Sequence, residues 1–338
     1  MGSGETSFNG GRLFEVVAKD LAQPLKISIL ETPAGFELNS DMVAKRVGDY
    51  LQVRLQNAKP TIHIVPARKK DTPFSPDSEE IVSPLMSSGI IFMGAGSPSY
   101  AVRQLRNSKA YSVIQAAHRQ GAALVLASAA TIALSDWALP VYEIYKVGED
   151  VHWKPGLGFF GEFGLKLVII PHWNNTDGGE ELDTSRCFMG KRRFDQLTRL
   201  LNDVTILGLD EHTGLVIDLA AGFASVLGKD EIHILRQDKQ QDYRDGSSFA
   251  LTELGDFHIP ADLKVGIPDD VWAAVADARQ KALMEPSVPD EVLRLVALRQ
   301  TAREDREWGR SDELRKEISA MGWQVNDTPN GPELVPLS

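Results

Sequence analysis

Short apolar runs alternate with amphipathic segments through residues 1–235, and this pattern restricts the fold more than any other feature of the sequence. Apolar runs of this length, separated by helical patterns, are typical of a mostly parallel sheet covered by helices. The strand candidates are 25–34, 61–67, 89–96, 121–128, 165–173, 204–211, 213–219 and 231–236. The helix candidates lie around 38–56, 98–120, 129–139 and 190–202. We therefore predict an α/β fold for residues 1–240.

The pattern changes after this region. Residues 241–267 are polar and rich in Gly and Asp, which predicts a linker or excursion. Residues 268–338 contain charged helix candidates at 268–284, 290–307 and 311–321, followed by a strand-like tail. We expect this segment to form a small helical module of its own.

Charge and composition exclude some classes of protein. The chain has 36 basic and 47 acidic residues, a net charge of −11, which argues against a general polyanion binder but leaves local basic patches open. No apolar run reaches ~18 residues, so we expect no membrane span. The single cysteine, Cys187, and an N-terminus without a signal-peptide pattern favour a cytoplasmic location. The starting GSGETS is typical of a turn that follows a strand, so we expect either a sheet lacking one strand or a start further upstream.

Chemically capable residues fall at four predicted strand ends. These are Ser128, the 94–96 turn, His172, and the acidic pair Asp210 and Glu211. Ligands of open α/β sheets bind outside the carboxyl ends of strands, so these residues are expected to converge. A serine nucleophile, a histidine base, an acid that orients the histidine and backbone N–H donors would make a hydrolase. Each also has a structural interpretation as a helix cap, an edge-of-core residue or a plain turn.

Other catalytic chemistry has less support in the sequence. His212 is a weaker substitute for the base. No cluster has the spacing of a zinc site, and no phosphate-binding loop of the GxxxxGK[ST] type is present. We expect neither a metal nor a cofactor.

Residues of about 1–236 resemble the cyanophycinase and aspartyl dipeptidase (peptidase E-like) family of serine peptidases. The similar motifs occur in the family's order: GSGETS, ETPAG, IIFMGAGSPSYAVRQL, ASAA, IIPHWNN…SRCFMGKRRF and GLDEHTGLVIDL…VLGKDEIHIL. The resemblance implies a three-layer α/β/α sandwich of the class I glutamine amidotransferase-like type. It implies Ser128 as nucleophile, His172 as base and Glu211 as acid, with Asp210 as the fallback. It also implies that the backbone N–H groups of Ala95 and Ala129 donate hydrogen bonds to the oxyanion.

The chain departs from the family pattern around the serine. Leu126 and Ala130 stand where the family has glycines, and Gly94 and Gly96 flank Ala95 where the family prefers adjacent glycines.

The resemblance also implies cleavage of a peptide or isopeptide bond next to an acidic residue. We expect Gly94, Gly96 and a group of cations to bind the substrate. The cations Arg186, Lys191, Arg192 and Arg193 lie within eight residues and would form a local anion site. A solvated helix start is the alternative interpretation.

Residues 292–335 carry a second resemblance, to the C-terminal end of cysteinyl-tRNA synthetases, in a helical hairpin with SDELR and a DTPNG turn. Arg299, Arg303 and Arg306 share a predicted helix face that could meet tRNA phosphates, with a solvated face as the alternative. The HIGH and KMSKS signatures are absent from the sequence, so the chain is not itself a synthetase.

Three hypotheses follow. The first is a serine hydrolase that acts on a peptide or a small acidic substrate. The second is a catalytically inactive relative that binds a small acidic or amide ligand. The third is an RNA-associated adaptor that works through the C-terminal module. A homodimer stays open as an assembly.

Overall fold

The computed structural model describes residues 1–236, 239–284, 288–328 and 331–337. The chain divides into two compact units, Met1–Gln280 and Lys281–Ser338.

The helices and strands follow one another as a mixed α/β chain and then a short helical region. The helices are α1 Phe8–Ala18, α2 Ser40–Arg54, α3 Glu79–Met86, α4 Pro98–Leu105, α5 Lys109–Arg119, α6 Ala129–Ala133, α7 Gly190–Thr198, α8 Asp269–Met284, α9 Asp290–Glu304 and α10 Trp308–Ala320. The strands are β1 Lys26–Leu30, β2 Thr61–Val65, β3 Ile90–Met93, β4 Ala123–Leu126, β5 Trp137–Ala138, β6 Lys154–Pro155, β7 Leu167–Ile170, β8 Thr205–Leu209, β9 Thr213–Asp218, β10 Phe223–Gly228, β11 Glu231–Arg236, β12 Lys239–Arg244, β13 Ser248–Ala250, β14 Trp323–Thr328 and β15 Gly331–Pro336.

A parallel sheet of order β2-β1-β3-β4 forms the centre of the first unit. Successive side chains of a strand point to opposite faces, and both faces are apolar here. Ile90 and Phe92 pack in one core cluster with α1 and α2, whereas Ile91 and Met93 pack in the other with α3, α4 and α5. Helices therefore cover both faces, and the predicted α/β fold class is confirmed.

A second sheet of order β12-β11-β8-β7 contains the strands that carry the other predicted site residues. β7 and β8 are parallel, and β11 and β12 add to them in antiparallel fashion. A three-stranded sheet, β13-β10-β9, follows along the chain. Lys239–Arg244 and Ser248–Ala250 are thus strands of the first unit, so of the two predictions for 241–267, linker or excursion, the linker is wrong.

The boundary between the units also lies later than the sequence suggests. Val271 and Val275 of α8 are buried in the core of the first unit, so most of this helix belongs there rather than to a module starting at 268. The predicted helix at 98–120 is two helices, α4 and α5. They are separated at Asn107, which has a φ of 56°.

The first two residues extend along the edge of β4. The Met1 amino group donates to the Leu126 carbonyl at 2.7 Å, and Ser128 N–H donates to the Met1 carbonyl. Gly2 N–H donates to the Thr213 carbonyl. Within the described residues, α1 is the first regular element.

The second unit is a helical hairpin followed by a β-hairpin. Seven buried residues form its core: Val292, Leu295, Ala302, Leu314, Ile318, Trp323 and Val325. Strands β14 and β15 pair antiparallel, and the predicted turn residue Asn330 lies outside the described residues.

Among the described helices of both units, none has the length and apolar character needed to cross a membrane.

Candidate active site

Ser128 lies at a sharp turn between β4 and α6. Its φ of 50° and ψ of −118° are a conformation that few residues other than glycine adopt. Such a strained strand–turn–helix places a nucleophile's side chain above the sheet. Ala127 and Ala130 are fully buried against this turn, and Leu126 packs on the core. The turn therefore forms without the two flanking glycines.

His172 follows β7 and reaches the serine. Its Nε2 lies 2.8 Å from Ser128 Oγ, and its Nδ1 lies 2.9 Å from Glu211 Oε1. The backbone of His172 is also left-handed, with a φ of 51°. Three side chains from three strand ends thus form one continuous hydrogen-bonded chain.

Two asparagines hold Glu211 in place, one through its carboxylate and one through its backbone. Asn175 Nδ2 donates to Glu211 Oε1 at 3.0 Å, and Asn174 Oδ1 accepts from the Glu211 N–H at 2.9 Å. Asn175 is buried, so it fixes the carboxylate that faces His172. Neither asparagine is among the predicted site residues, although their position directly after the histidine at a strand end is a signal in the sequence.

Asp210 contacts a different histidine. Its Oδ1 lies 3.2 Å from His233 Nε2, and its Oδ2 accepts from Glu231 N–H. His233 Nδ1 in turn bonds Asp242 at 2.8 Å. Burial lowers the pKa of His233, but the hydrogen bonds to the two aspartates outweigh it and give a net rise. Glu211, and not the fallback Asp210, is therefore the acid on His172.

The side chains of Glu231, His233 and Asp242 also come close enough to hold a metal ion, a grouping that the sequence did not suggest. Both ring nitrogens of His233 already bond carboxylates. His212, the substitute base, is exposed, and the hydrogen bond to Ser128 comes from His172.

Two alanines occupy the expected oxyanion positions. Ala95 and Ala129 line the same cavity as Ser128. Ala129 is the first residue of α6, so its N–H has no acceptor within the helix. Gly96 has a φ of 142°, and a Cβ there would lie 2.0 Å from the Pro33 carbonyl oxygen, so only glycine fits this turn. Gly94, just after β3, is half-buried.

The cavity beside Ser128 has a volume of about 490 Å³. Its lining is mostly apolar: Ala95, Gly96, Pro98, Ser128, Ala129, Ile132, Val141, Tyr142, Tyr145, Lys146, His172, Asp177, Cys187 and Phe188. Burial, with a smaller contribution from Glu211, raises the pKa of Cys187 to about 12. Cys187 is therefore a neutral thiol near neutral pH and not a competing nucleophile.

The predicted arginines do not line this cavity. Arg186 lies 3.8 Å from the centre of the Trp173 ring and donates to the Trp173 carbonyl. Arg192 and Arg193 are exposed on the first turn of α7. Among the described residues, the cation in the lining is Lys146.

The three arginines predicted to meet tRNA phosphates are in different environments. Arg299 is 2% exposed and forms two hydrogen bonds of 2.8 Å with the Asp327 carboxylate. Arg303 lies 3.3 Å from the same carboxylate, and Arg306 is exposed. The expectation that all three face outward is wrong for Arg299, because its guanidinium ties α9 to the β-hairpin.

Comparison with solved structures supports the fold of the first unit. A peptidase from an acI-B1 Actinobacterium superimposes with a TM-score of 0.57 at 21% sequence identity. The match covers 74% of this chain and 94% of that one. Together with the central parallel sheet, it shows an α/β fold.

Sequence comparison finds relatives of the C-terminal segment. The family described as the cysteinyl-tRNA ligase anticodon binding domain matches residues 285–331. Cysteine–tRNA ligase of Rubrobacter xylanophilus is 50% identical over 46 residues, or 14% of this chain and 10% of that protein. Cysteine–tRNA ligase 1 of Burkholderia lata is 33% identical over 79 residues, or 23% and 17%. The chain thus spans between about a tenth and a sixth of these relatives.

Proposed function

We propose that the first unit is a serine hydrolase that cleaves a peptide or isopeptide bond. The observation that carries this proposal is the continuous chain from Ser128 Oγ through His172 to Glu211, with links of 2.8 Å and 2.9 Å. A nucleophile, a base and an orienting acid in that order are the parts of a serine hydrolase.

Each group has one task in the reaction. Ser128 Oγ attacks the carbonyl carbon while His172 Nε2 accepts its proton, and Glu211 stabilises the resulting imidazolium. The Ala95 and Ala129 N–H groups would donate to the oxyanion. The imidazolium then gives its proton to the leaving amine, and water hydrolyses the acyl-enzyme by the same steps.

Two features support an active enzyme over an inactive relative. Ser128 and His172 are both held in left-handed backbone conformations, each of which costs roughly 1–3 kcal/mol. The two conformations bring Ser128 Oγ and His172 Nε2 within 2.8 Å, an arrangement that nucleophilic catalysis requires and that ligand binding alone does not.

The acidic neighbour that the sequence suggests has weaker support. A carboxylate beside Ser128 would meet Lys146, whereas Arg186, Arg192 and Arg193 lie outside the cavity lining.

A fluorophosphonate probe tests the proposal directly. The probe should label the wild-type chain on the peptide that contains Ser128, as read by mass spectrometry, and should not label Ser128→Ala. Ser112→Ala is the matched control, because Ser112 is a half-buried serine on α5, outside the cavity lining, and should label like wild type. Equal labelling of Ser128→Ala and wild type would contradict the nucleophile assignment.

We propose a second function for residues 285–331, contact with tRNA. The observation that favours it is the match to an anticodon binding domain. Arg306 is the exposed member of the predicted cationic face, since Arg299 is buried on Asp327 and Arg303 lies beside it.

A gel-shift titration at several salt concentrations tests this proposal. Arg306→Ala should weaken tRNA binding and lower the salt slope by about one unit, the value for one lost phosphate contact. Lys19→Ala, an exposed cation of the first unit, is the control and should leave the slope unchanged. Absence of a shifted band with the wild-type chain at low salt would refute tRNA binding.

A further inference from the structure

The cavity beside Ser128 is walled by aromatic and aliphatic side chains. Ile132 lies one turn along α6 from Ala129, so the apolar wall begins next to the position expected for the acyl carbonyl. Tyr145 and Phe188 close the wall, with ring centres 5.4 Å apart. The Phe188 ring also lies 5.9 Å from the His172 ring.

A strained segment holds Phe188 in this position. Arg186, Cys187 and Phe188 have consecutive φ values of 57°, 57° and 67°. The left-handed conformation is unfavourable for each residue with a Cβ, so three in succession are uncommon and persist only when the surroundings enforce them. The segment turns Arg186 onto Trp173 and leaves Cys187 and Phe188 on the cavity wall.

The charges on the wall do not favour an anion. The lining carries one cation, Lys146, and one carboxylate, Asp177. Lys146 Nζ lies 4.8 Å from the centre of the Tyr145 ring. An acidic side chain in the cavity would meet one cation and one carboxylate, and it would lose water against apolar walls. Burial of a charge without an ion-pair or hydrogen-bond partner is unfavourable.

We infer that this cavity binds an aromatic or large aliphatic side chain on the acyl side of the cleaved bond, with Tyr145 and Phe188 as specificity-determining residues. The inference rests on the proposed serine hydrolase. A volume of about 490 Å³ accommodates a phenylalanine side chain with part of the neighbouring backbone. Burying a large apolar side chain corresponds to roughly 10- to 100-fold in affinity.

Two activated esters test the inference, the 4-nitrophenyl esters of N-acetyl-phenylalanine and N-acetyl-aspartate. In each, Ser128 Oγ bonds the acyl carbon and gives its proton to His172, 4-nitrophenolate leaves, and water then releases the N-acetyl amino acid. The wild-type chain should give a kcat/KM at least 10-fold higher for the phenylalanine ester. Tyr145→Ala should reduce this preference about 5-fold or more, and Tyr145→Leu should retain most of it.

Lys19→Ala is the matched control, because Lys19 is exposed at the end of α1 and lies outside the cavity lining. Its ratio of the two kcat/KM values should equal that of wild type. Fluorophosphonate labelling of every variant separates the two proposals. A chain that does not label refutes the hydrolase itself, whereas a labelled chain that prefers the aspartate ester, or treats both esters equally, refutes only the apolar specificity. A selective loss of the aspartate ester in Arg192→Ala would likewise overturn it.

Discussion

His118 makes the stability of the first unit sensitive to acid. The residue is half-buried on α5 with the edge of its ring against Phe159, and its buried Nδ1 has no hydrogen-bond partner among the described residues. Burial, with a smaller contribution from Arg119, lowers the pKa of His118 to about 4. The folded chain therefore keeps this imidazole neutral at a pH where an unfolded chain protonates it.

The sign and size of the effect follow from proton linkage. The unfolded histidine titrates near ~6.5, so the stabilising contribution is complete above that pH and is lost as the pH falls toward about 4. A pH of 5 lies about 1.5 units below the pKa of the unfolded histidine. Protonation at this pH therefore favours the unfolded chain and lowers the free energy of unfolding by ~2 kcal/mol. His118→Leu removes the titrating group and should reduce the loss of stability between pH 7 and pH 5 by about this amount.

Urea unfolding of both proteins at pH 7 and pH 5 measures the difference. His152→Gln is the control, because the His152 side chain is 35% exposed, and this variant should lose as much stability on acidification as wild type. If His118→Leu loses as much stability as wild type between these pH values, the buried neutral histidine is not the source of the acid sensitivity.

Further predictions concern the catalytic acid, the oxyanion turn and the C-terminal unit. Glu211→Gln should lower kcat by roughly 10²–10⁴-fold, and Asp210→Asn should lower it much less; steady-state kinetics on one ester would show the contrast. Gly96→Ala should lower the free energy of unfolding by at least ~1–3 kcal/mol, measured in urea, because its methyl group would overlap a backbone oxygen in a left-handed turn. Arg299→Ala should destabilise the C-terminal unit by about 1–3 kcal/mol, because the partly exposed Asp327 carboxylate loses two charge-assisted hydrogen bonds but keeps Arg303 at 3.3 Å, whereas Arg306→Ala should cost under ~0.5 kcal/mol; amide hydrogen exchange of α9 would report both.

The central sheet could be predicted because its strands are apolar on both faces and end in turn residues. Strand β12 could not be predicted, because five of its six residues are exposed and its sequence, KQQDYR, does not alternate apolar and polar residues. An edge strand of this kind looks like a linker in the sequence. The division between the units was misplaced for a related reason, since α8 buries only Val271 and Val275 and therefore resembles a solvated helix.

The positions of Ser128, His172 and Glu211 could be predicted because parallel strands end at one edge of a sheet. The distances between these side chains could not be predicted, because they depend on positive φ values that the residue types at these positions do not indicate. Charge runs were less informative than strand ends. In the sequence Arg299 looks like a surface cation. Only the spatial position of Asp327 shows that Arg299 is buried and hydrogen-bonded within the C-terminal unit.

The backbone strain at Ser128, His172 and residues 186–188 has a practical consequence for mapping this site without a known substrate. Glycine relaxes a left-handed backbone, so a variant library selected only for heat resistance should enrich glycine at Ser128 and His172, whereas the packing of Cys187 and Phe188 should preserve these two side chains. A library selected for turnover should retain the side chains. The positions where the two selections oppose each other would mark the catalytic centre, and they would do so before any natural substrate is identified.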